Sequence, residues 1–287
     1  MELPGATVVV TGGGAGIGEA LARRFAASGA QVVVNDIDAS RAQRVAHDIG
    51  GHAVACDAAT DEGVAWLVGS ARARFGEIDL YCANAGVGRG GGPEAPEEAW
   101  AVSWEVNVMA HVRAARALLP AWLERGRGHF LATVSAAGLL SHITAAPYAV
   151  SKHAALAFAE WLAIAYGDHG ITVQALCPQG VRTSMLMNED GPGKALLLPD
   201  ALSPEEVADT VAEALTTEQF LILPHPEVAR YIVNRATDPD RWLSGMRRTL
   251  RASEREASSS RSARLRTAQG AFGAETPGGP ASPGKTR

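Results

Sequence analysis

The sequence predicts a single-domain, doubly wound α/β fold with a parallel sheet of about seven strands flanked by helices. Three observations carry that expectation. Short β-branched runs alternate with longer alanine-rich segments of helical period. The runs are apolar throughout instead of alternating, as strands covered on both faces are. The first run passes through a glycine-rich turn straight into an amphipathic helix, as in a Rossmann fold.

Seven segments read as strands in order: "ATVVV", "QVVVN", "HAVAC", "IDLYC", "GHFLATV", "ITVQALC" and "FLILP". The helices after Glu97 and after Pro147 are long and carry more apolar surface than one sheet face can hide, which predicts a homodimer or homotetramer built on those two helices, unless the excess is thick core packing. After "FLILP", "HPEVARYIVNRA" and "PDRWLSGMRRTL" read as further helices from about residue 225, within a domain spanning 1–251. Residues 252–287, rich in Ser, Ala, Gly, Pro and Arg, read as a disordered tail.

Composition limits the function classes. The chain has 287 residues, 47% hydrophobic and 20% charged, with a net charge of -5, which disfavours an electrostatic grip on nucleic acid or anionic lipid. No apolar run reaches the roughly 20 residues that cross a bilayer, and "MELPGATVVV" lacks the basic start of a signal peptide, so the expectation is a cytoplasmic protein without membrane or nucleic-acid partners. Cys56, Cys82 and Cys177 each end a strand-like run and read as reduced thiols. The eight histidines show no metal-ligand spacing, so no metal is expected.

In "VVVTGGGAGIGEALARRF", Gly12, Gly16 and Gly18 lie between strand and helix, where backbone can approach a pyrophosphate and the helix N-terminus offers free N–H groups. Asp36 ends the second strand some twenty residues on and can accept both ribose hydroxyls of an adenosine, or cap the next helix. With no basic residue in "TGGGAGIG" or just after Asp36, NAD is favoured over NADP. Asp57 suits an adenine amino group; Asn84, Ala85 and Gly86 leave room for a flat cofactor.

Tyr148 and Lys152 lie one helical turn apart, on one face. A phenol of pKa ~10 is a poor base at neutral pH, and a neighbouring ammonium favours its phenolate. Tyr148 can therefore exchange a proton with an alcohol or ketone oxygen while hydride moves to or from a nicotinamide. Ser135, at the end of the fifth strand, can hold the same oxygen or merely cap a turn. Asn107 stands inside a helix, where Asn is a poor former, and reads as a water-binding, helix-bending or buried amide.

In order and spacing, "TGGGAGIG", Asp57, "NAG", Asn107, Ser135 and "YAVSK" resemble the short-chain dehydrogenase/reductase family, over about Leu3 to Pro224. The resemblance implies that Asn107, Ser135, Tyr148 and Lys152 are catalytic, that Lys152 also holds the nicotinamide ribose and that Asn107 supports a water-linked proton relay. It places Ile17, Ala58, Pro178, Val181 and Thr183 at the cofactor too. There are two departures. Gln179 in "PQGVRT" replaces the family's usual glycine, and helices follow the last strand where the family often ends. Those helices can cover the active site or alter the assembly.

Leu139, Leu140, His142, Ile143, Gln179, Met185, Leu186 and Met187 are the expected substrate contacts, or in part core. They suit a hydrophobic small-molecule secondary alcohol or ketone. Two other function classes fit less of the sequence: a non-catalytic dinucleotide sensor or scaffold, which needs no Tyr148, and a nucleic-acid module using the Arg-containing tail.

Overall fold

The computed structural model describes residues 1–272 apart from 190 and 218. All seven expected strands form: β1 (Thr7–Val10), β2 (Gln31–Asp36), β3 (His52–Ala55), β4 (Leu80–Ala83), β5 (Gly128–Thr133), β6 (Ile171–Leu176) and β7 (Leu221–Ile222). Every pair is parallel, in the order β3-β2-β1-β4-β5-β6-β7. The chain winds outward from β1 in one direction and then from β4 in the other. The connections after these two strands therefore diverge and leave a crevice at their carboxyl ends.

The helices are α1 (Gly16–Ala27), α2 (Ala39–Ile49), α3 (Asp61–Phe75), α4 (Glu97–Trp104), α5 (Ala110–Arg125), α6 (Ala146–Tyr166), α7 (Ser184–Met187), α8 (Pro192–Leu197), α9 (Pro204–Ala214), α10 (Glu227–Thr237) and α11 (Pro239–Phe272). A π-helical turn, Glu105–Met109, joins α4 to α5. Local chemistry sets several starts. The Asp38 carboxylate accepts from the N–H groups of Ser40 and Arg41 at α2, Thr60 from that of Gly63 at α3, and Ser203 and Glu206 form a reciprocal cap at α9.

Successive residues of each strand bury on opposite faces, which is why the runs are apolar throughout. Val9 packs with Tyr81, Leu118, Trp122 and Phe130 under α3, α5 and α6. Val8 and Val10 pack with Leu21, Phe25 and Val207 under α1, α2 and α9. Each fully buried side chain of this size contributes about 1.5–3 kcal/mol.

Outside the core, Val150, Trp161 and Ile164 of α6 are exposed, as is Trp104 of α4. No helix among the described residues is long and apolar enough to cross a membrane.

The C-terminal segment differs from the composition-based expectation. Helix α11 continues past the 251/252 boundary to Phe272, through a stretch whose Ala, Arg and Glu are good helix formers despite the scarcity of apolar residues. The rest of the expected tail, 273–287, lies outside the described residues.

Candidate active site

The carboxyl ends of the strands open into one cleft of about 2470 Å³, continuous from the glycine turn to α11. At its nucleotide end the backbone approaches itself closely. Gly12 takes φ +61, and a Cβ on Gly18 would lie 2.1 Å from the Gly12 carbonyl oxygen. This cradle, at the positive end of the α1 dipole, fits a pyrophosphate. Asp36 is nearly buried and does not cap α2: its Oδ2 accepts from Gly14 N at 3.0 Å and its Oδ1 from Asp38 N at 3.0 Å.

The remaining nucleotide residues gather along the same wall. Gly16, Ile17, Asp57, Ala58, Ala85 and Gly86 line it, as do Pro178, Val181 and Thr183 after β6. Asn84 also lines the cleft, but its amide braces three strands, donating to Thr11 O at 2.9 Å and accepting from Thr133 Oγ1 at 3.1 Å. Thr11 Oγ1 accepts from the N–H groups of Asn84 and Ala85 at 2.9 and 3.0 Å. The strand-end geometry thus rests on Thr11 and Thr133, which the sequence reading passed over. Among the described residues no cluster of His, Cys, Asp or Glu has metal-binding geometry.

At the reaction end three of the four expected residues meet. Ser135 and Tyr148 line the cleft together, the serine hydroxyl close enough to act on the phenol, and Lys152 Nζ lies 5.7 Å from the Tyr148 ring centroid. Ser135 is held at φ 154, ψ 157, a conformation normally left to glycine. Its Oγ accepts from Ala137 N at 3.1 Å and faces the Pro178 carbonyl at 3.4 Å. The buried Lys152 donates to Thr133 O at 2.9 Å.

The electrostatics differ from expectation. Burial pushes the Tyr148 phenol above its ordinary value, outweighing the opposing influence of the Ser135 hydroxyl, and Lys152 itself is lowered to about 8 by burial. Desolvation of both side chains, with the ammonium directed to Thr133, is why the expected depression of the phenol is not seen.

Asn107 stands behind Gly86, where an added Cβ would lie 3.3 Å from its Oδ1 and 3.5 Å from Lys152 Nζ. It is fully buried off the cleft in the π-helical turn, with Oδ1 accepting from Val87 N at 2.9 Å and Nδ2 donating to Val87 O and Ser151 Oγ, both at 3.0 Å. Its side chain is spent on protein partners.

The expected substrate residues divide. Leu140, His142, Gln179, Met185 and Leu186 line the cleft. The His142 ring stands edge-on to Tyr148 at 5.9 Å, and burial lowers its pKa, favouring neutral imidazole. Leu139 does not line the cleft: after the 3₁₀ turn Ala136–Gly138 its side chain enters the core, while its carbonyl accepts from Arg235. Ile143 and Met187 also stand off it. Cys177 is a fully buried thiol pushed up to about 12.

Some cleft residues were missed altogether. Tyr231 and Asn234 of α10 and Trp242 and Met246 of α11 wall the substrate end. At the other end α2 brings two arginines to the glycine turn. Arg44 donates to Gly14 O at 3.0 Å, and the Arg41 Cβ lies 2.6 Å from where a Gly14 Cβ would stand.

The sequence model of the short chain dehydrogenase family matches residues 6–192. The chain belongs to the short-chain dehydrogenase family. This short-chain dehydrogenase is 38% identical over 236 residues to the 1-deoxy-11-beta-hydroxypentalenate dehydrogenase of Streptomyces exfoliatus, covering 79% of this chain and 86% of that protein. It is 38% identical over 190 residues to the 2,5-dichloro-2,5-cyclohexadiene-1,4-diol dehydrogenase of Sphingobium indicum, covering 64% and 76%. A Burkholderia phymatum short chain dehydrogenase/reductase solved in complex with NAD superposes with a TM-score of 0.77 at 28% identity, over 84% of this chain and 96% of that one. The short-chain dehydrogenase described here is an oxidoreductase of CH–OH groups that works with a nicotinamide dinucleotide.

Proposed function

We propose that this short-chain dehydrogenase interconverts a hydrophobic secondary alcohol and its ketone, prefers NAD and uses Tyr148 as its acid/base. The observation that carries the reading is the meeting of Ser135, Tyr148 and Lys152 in the cleft that also holds the glycine cradle and Asp36. Bound nicotinamide supplies the hydride acceptor in oxidation and the donor in reduction. Tyr148 Oη takes the hydroxyl proton as the C–O bond becomes a carbonyl, and returns it in reduction. Ser135 Oγ fixes the reacting oxygen, and the Lys152 ammonium favours the phenolate that Tyr148 becomes. Asn107 acts through the π-helical turn that it anchors to Val87, in support of a water-linked proton path.

Asp36 supports NAD, since a 2′-phosphate beside it would meet negative charge. The nearby arginines are already engaged, Arg41 with Asp38 at 3.2 Å and Arg44 with Glu19 at 2.8 Å. The substrate wall of Leu140, Met185, Leu186, Tyr231 and Trp242 supports an apolar ligand of some bulk. Relatives named for a hydroxypentalenate and a cyclohexadiene-diol support a cyclic alcohol. The exposed apolar residues of α4 and α6 support homo-oligomerisation through those faces. The test is NADH or NADPH formation by the purified protein over a panel of apolar cyclic secondary alcohols. Turnover with NAD several-fold above NADP is expected; tight NADH binding with no turnover on any alcohol or ketone would contradict the reading.

A further inference from the structure

The substrate end of the cleft is mainly apolar, yet three polar side chains gather at one place on its wall: His142, Thr144 and Glu189. Thr144 Oγ1 lies 3.3 Å from His142 Nδ1, and the His142 ring stands edge-on to Tyr148 at 5.9 Å. Helix α8 brings up the buried Gly193, where a Cβ would lie 2.3 Å from Glu189 Oε1 and 2.9 Å from Thr144 Oγ1. Glycine at that position therefore leaves room for the carboxylate and the threonine hydroxyl to lie side by side.

Glu189 is half-buried, and its carboxylate takes no hydrogen bond among the described residues. Lys194, the cation whose charge reaches it, donates to the Met187 carbonyl instead. A carboxylate partly removed from water and left without a donor is costly, and a donor on a ligand relieves that cost. A carboxylate only accepts, whereas a threonine hydroxyl both donates and accepts. Together they complement a group that gives one hydrogen bond and takes another, which is a hydroxyl. An ammonium has nothing with which to accept from Thr144, and an anion would meet the charge of Glu189. His142 supports the arrangement in the tautomer that carries its proton on Nδ1: it donates to Thr144 Oγ1 and leaves the threonine proton free for a ligand.

We propose that Thr144 and Glu189 form a specificity site for a second hydroxyl, so that the substrate is an apolar diol in oxidation and the matching hydroxy ketone in reduction. The second hydroxyl donates to Glu189 Oε1 and accepts from Thr144 Oγ1, and no bond to its carbon is made or broken. Tyr148 meets this site through the His142 ring, which puts the second hydroxyl on a carbon away from the one that exchanges hydride. The proposal rests on the alcohol and ketone reading above.

Matched probes test it: 4-methylcyclohexanol, cyclohexane-1,4-diol and 4-aminocyclohexanol, with their decalin counterparts for bulk, each given to the purified protein with NAD. In the unaltered protein the diol is expected to exceed the methyl analogue in kcat/KM roughly ten- to hundred-fold, the scale of a hydrogen bond to a charged group. Glu189→Ala is expected to bring that ratio close to unity. Gly193→Ala, whose methyl group displaces the carboxylate from Thr144, and Thr144→Val are expected to lower it in the same direction. Equal kcat/KM for diol and methyl analogue in the unaltered protein overturns the proposal, and so does an equal loss on both probes in Glu189→Ala, which would make Glu189 a structural residue. If Glu189→Ala does not fold, the ratio in the unaltered protein and in Gly193→Ala decides. A preference for the amino analogue over the diol overturns the assignment to a hydroxyl. Absence of turnover with every probe, the methyl analogues included, is the separate result that defeats the alcohol and ketone reading itself and the proposal with it.

Discussion

Gln179 Nε2 lies 2.5 Å from Glu227 Oε1, so the residue standing at the family's usual glycine is bonded to the first of the helices that the family often lacks. The two departures are one feature. Gln179 N also donates to His225 Nδ1 at 3.2 Å, and Arg235 of α10 donates to the Leu139 carbonyl. The loops after β5 and β6 thus both fasten α10 beside the cleft. A hydrogen bond to a charged group contributes about 1.5–3 kcal/mol, less where water reaches it. Gln179→Gly is expected to raise KM for a bulky alcohol about tenfold, the lower end of that range, and to leave NADH affinity unchanged. Steady-state kinetics with a bulky and a small alcohol check this: an equal KM rise for both would show that α10 and α11 do not select by size.

Asp36 fixes the cofactor expectation. Replacing it with Ala removes the charge facing a 2′-phosphate and leaves Arg41 and Arg44 of α2 at the glycine turn. The NAD to NADP ratio of kcat/KM should fall roughly 100-fold, equivalent to about 2.7 kcal/mol. An unchanged ratio would place discrimination elsewhere.

Lys152 gives a pH signature in stability. Burial lowers it to about 8 from 10.5, so between those values the unfolded chain holds a proton that the folded chain has released. Stability from this residue therefore rises as pH climbs from about 8 to 10.5 and is lost as pH falls back through 8. Cys177, raised to about 12, slopes the other way above pH 9, and burial, the largest cause of its shift, persists with or without Lys152, whose charge opposes it. The Tm advantage of Lys152→Met over the unaltered protein should accordingly be greatest near pH 7 and shrink toward pH 10.5. A constant difference across that range contradicts the depressed value.

Much of this was legible because the informative residues sit at strand ends. A strand covered on both faces writes itself as an apolar run, and the glycine turn and "YAVSK" hold their geometry within a few residues. What the sequence hid depends on distance or on a change of helical phase. Arg41 and Arg44 reach the glycine turn only because Asp38 starts α2 where it does. Leu139 turns inward because a 3₁₀ turn rotates the chain after Ser135. Asn107 sits in a π-helical turn, an insertion that helical periodicity cannot reveal. Tyr231 and Trp242 join the cleft by folding back across some fifty to a hundred residues, and their amphipathic spacing was the one local sign.

Helix α6 carries the assembly prediction. Ile164 is 84% exposed and Trp161 56%, on a helix whose opposite face holds Lys152, Ala155 and Ala159 in the interior. Ile164→Asp is expected to shift the protein toward monomer in sedimentation, with its circular dichroism unchanged. An unaltered mass would move the interface away from α6.

The acid/base role of Tyr148 is tested most directly by NADH formation at saturating NAD and alcohol, with Tyr148→Phe beside the unaltered protein. The phenyl ring keeps the packing against His142 and the contact with Lys152 but loses the proton. Turnover should fall by about 10²–10⁴-fold, the usual worth of a positioned acid/base, while NADH binding holds within a few-fold. Turnover of the Phe variant equal to that of the unaltered protein would contradict proton transfer by Tyr148.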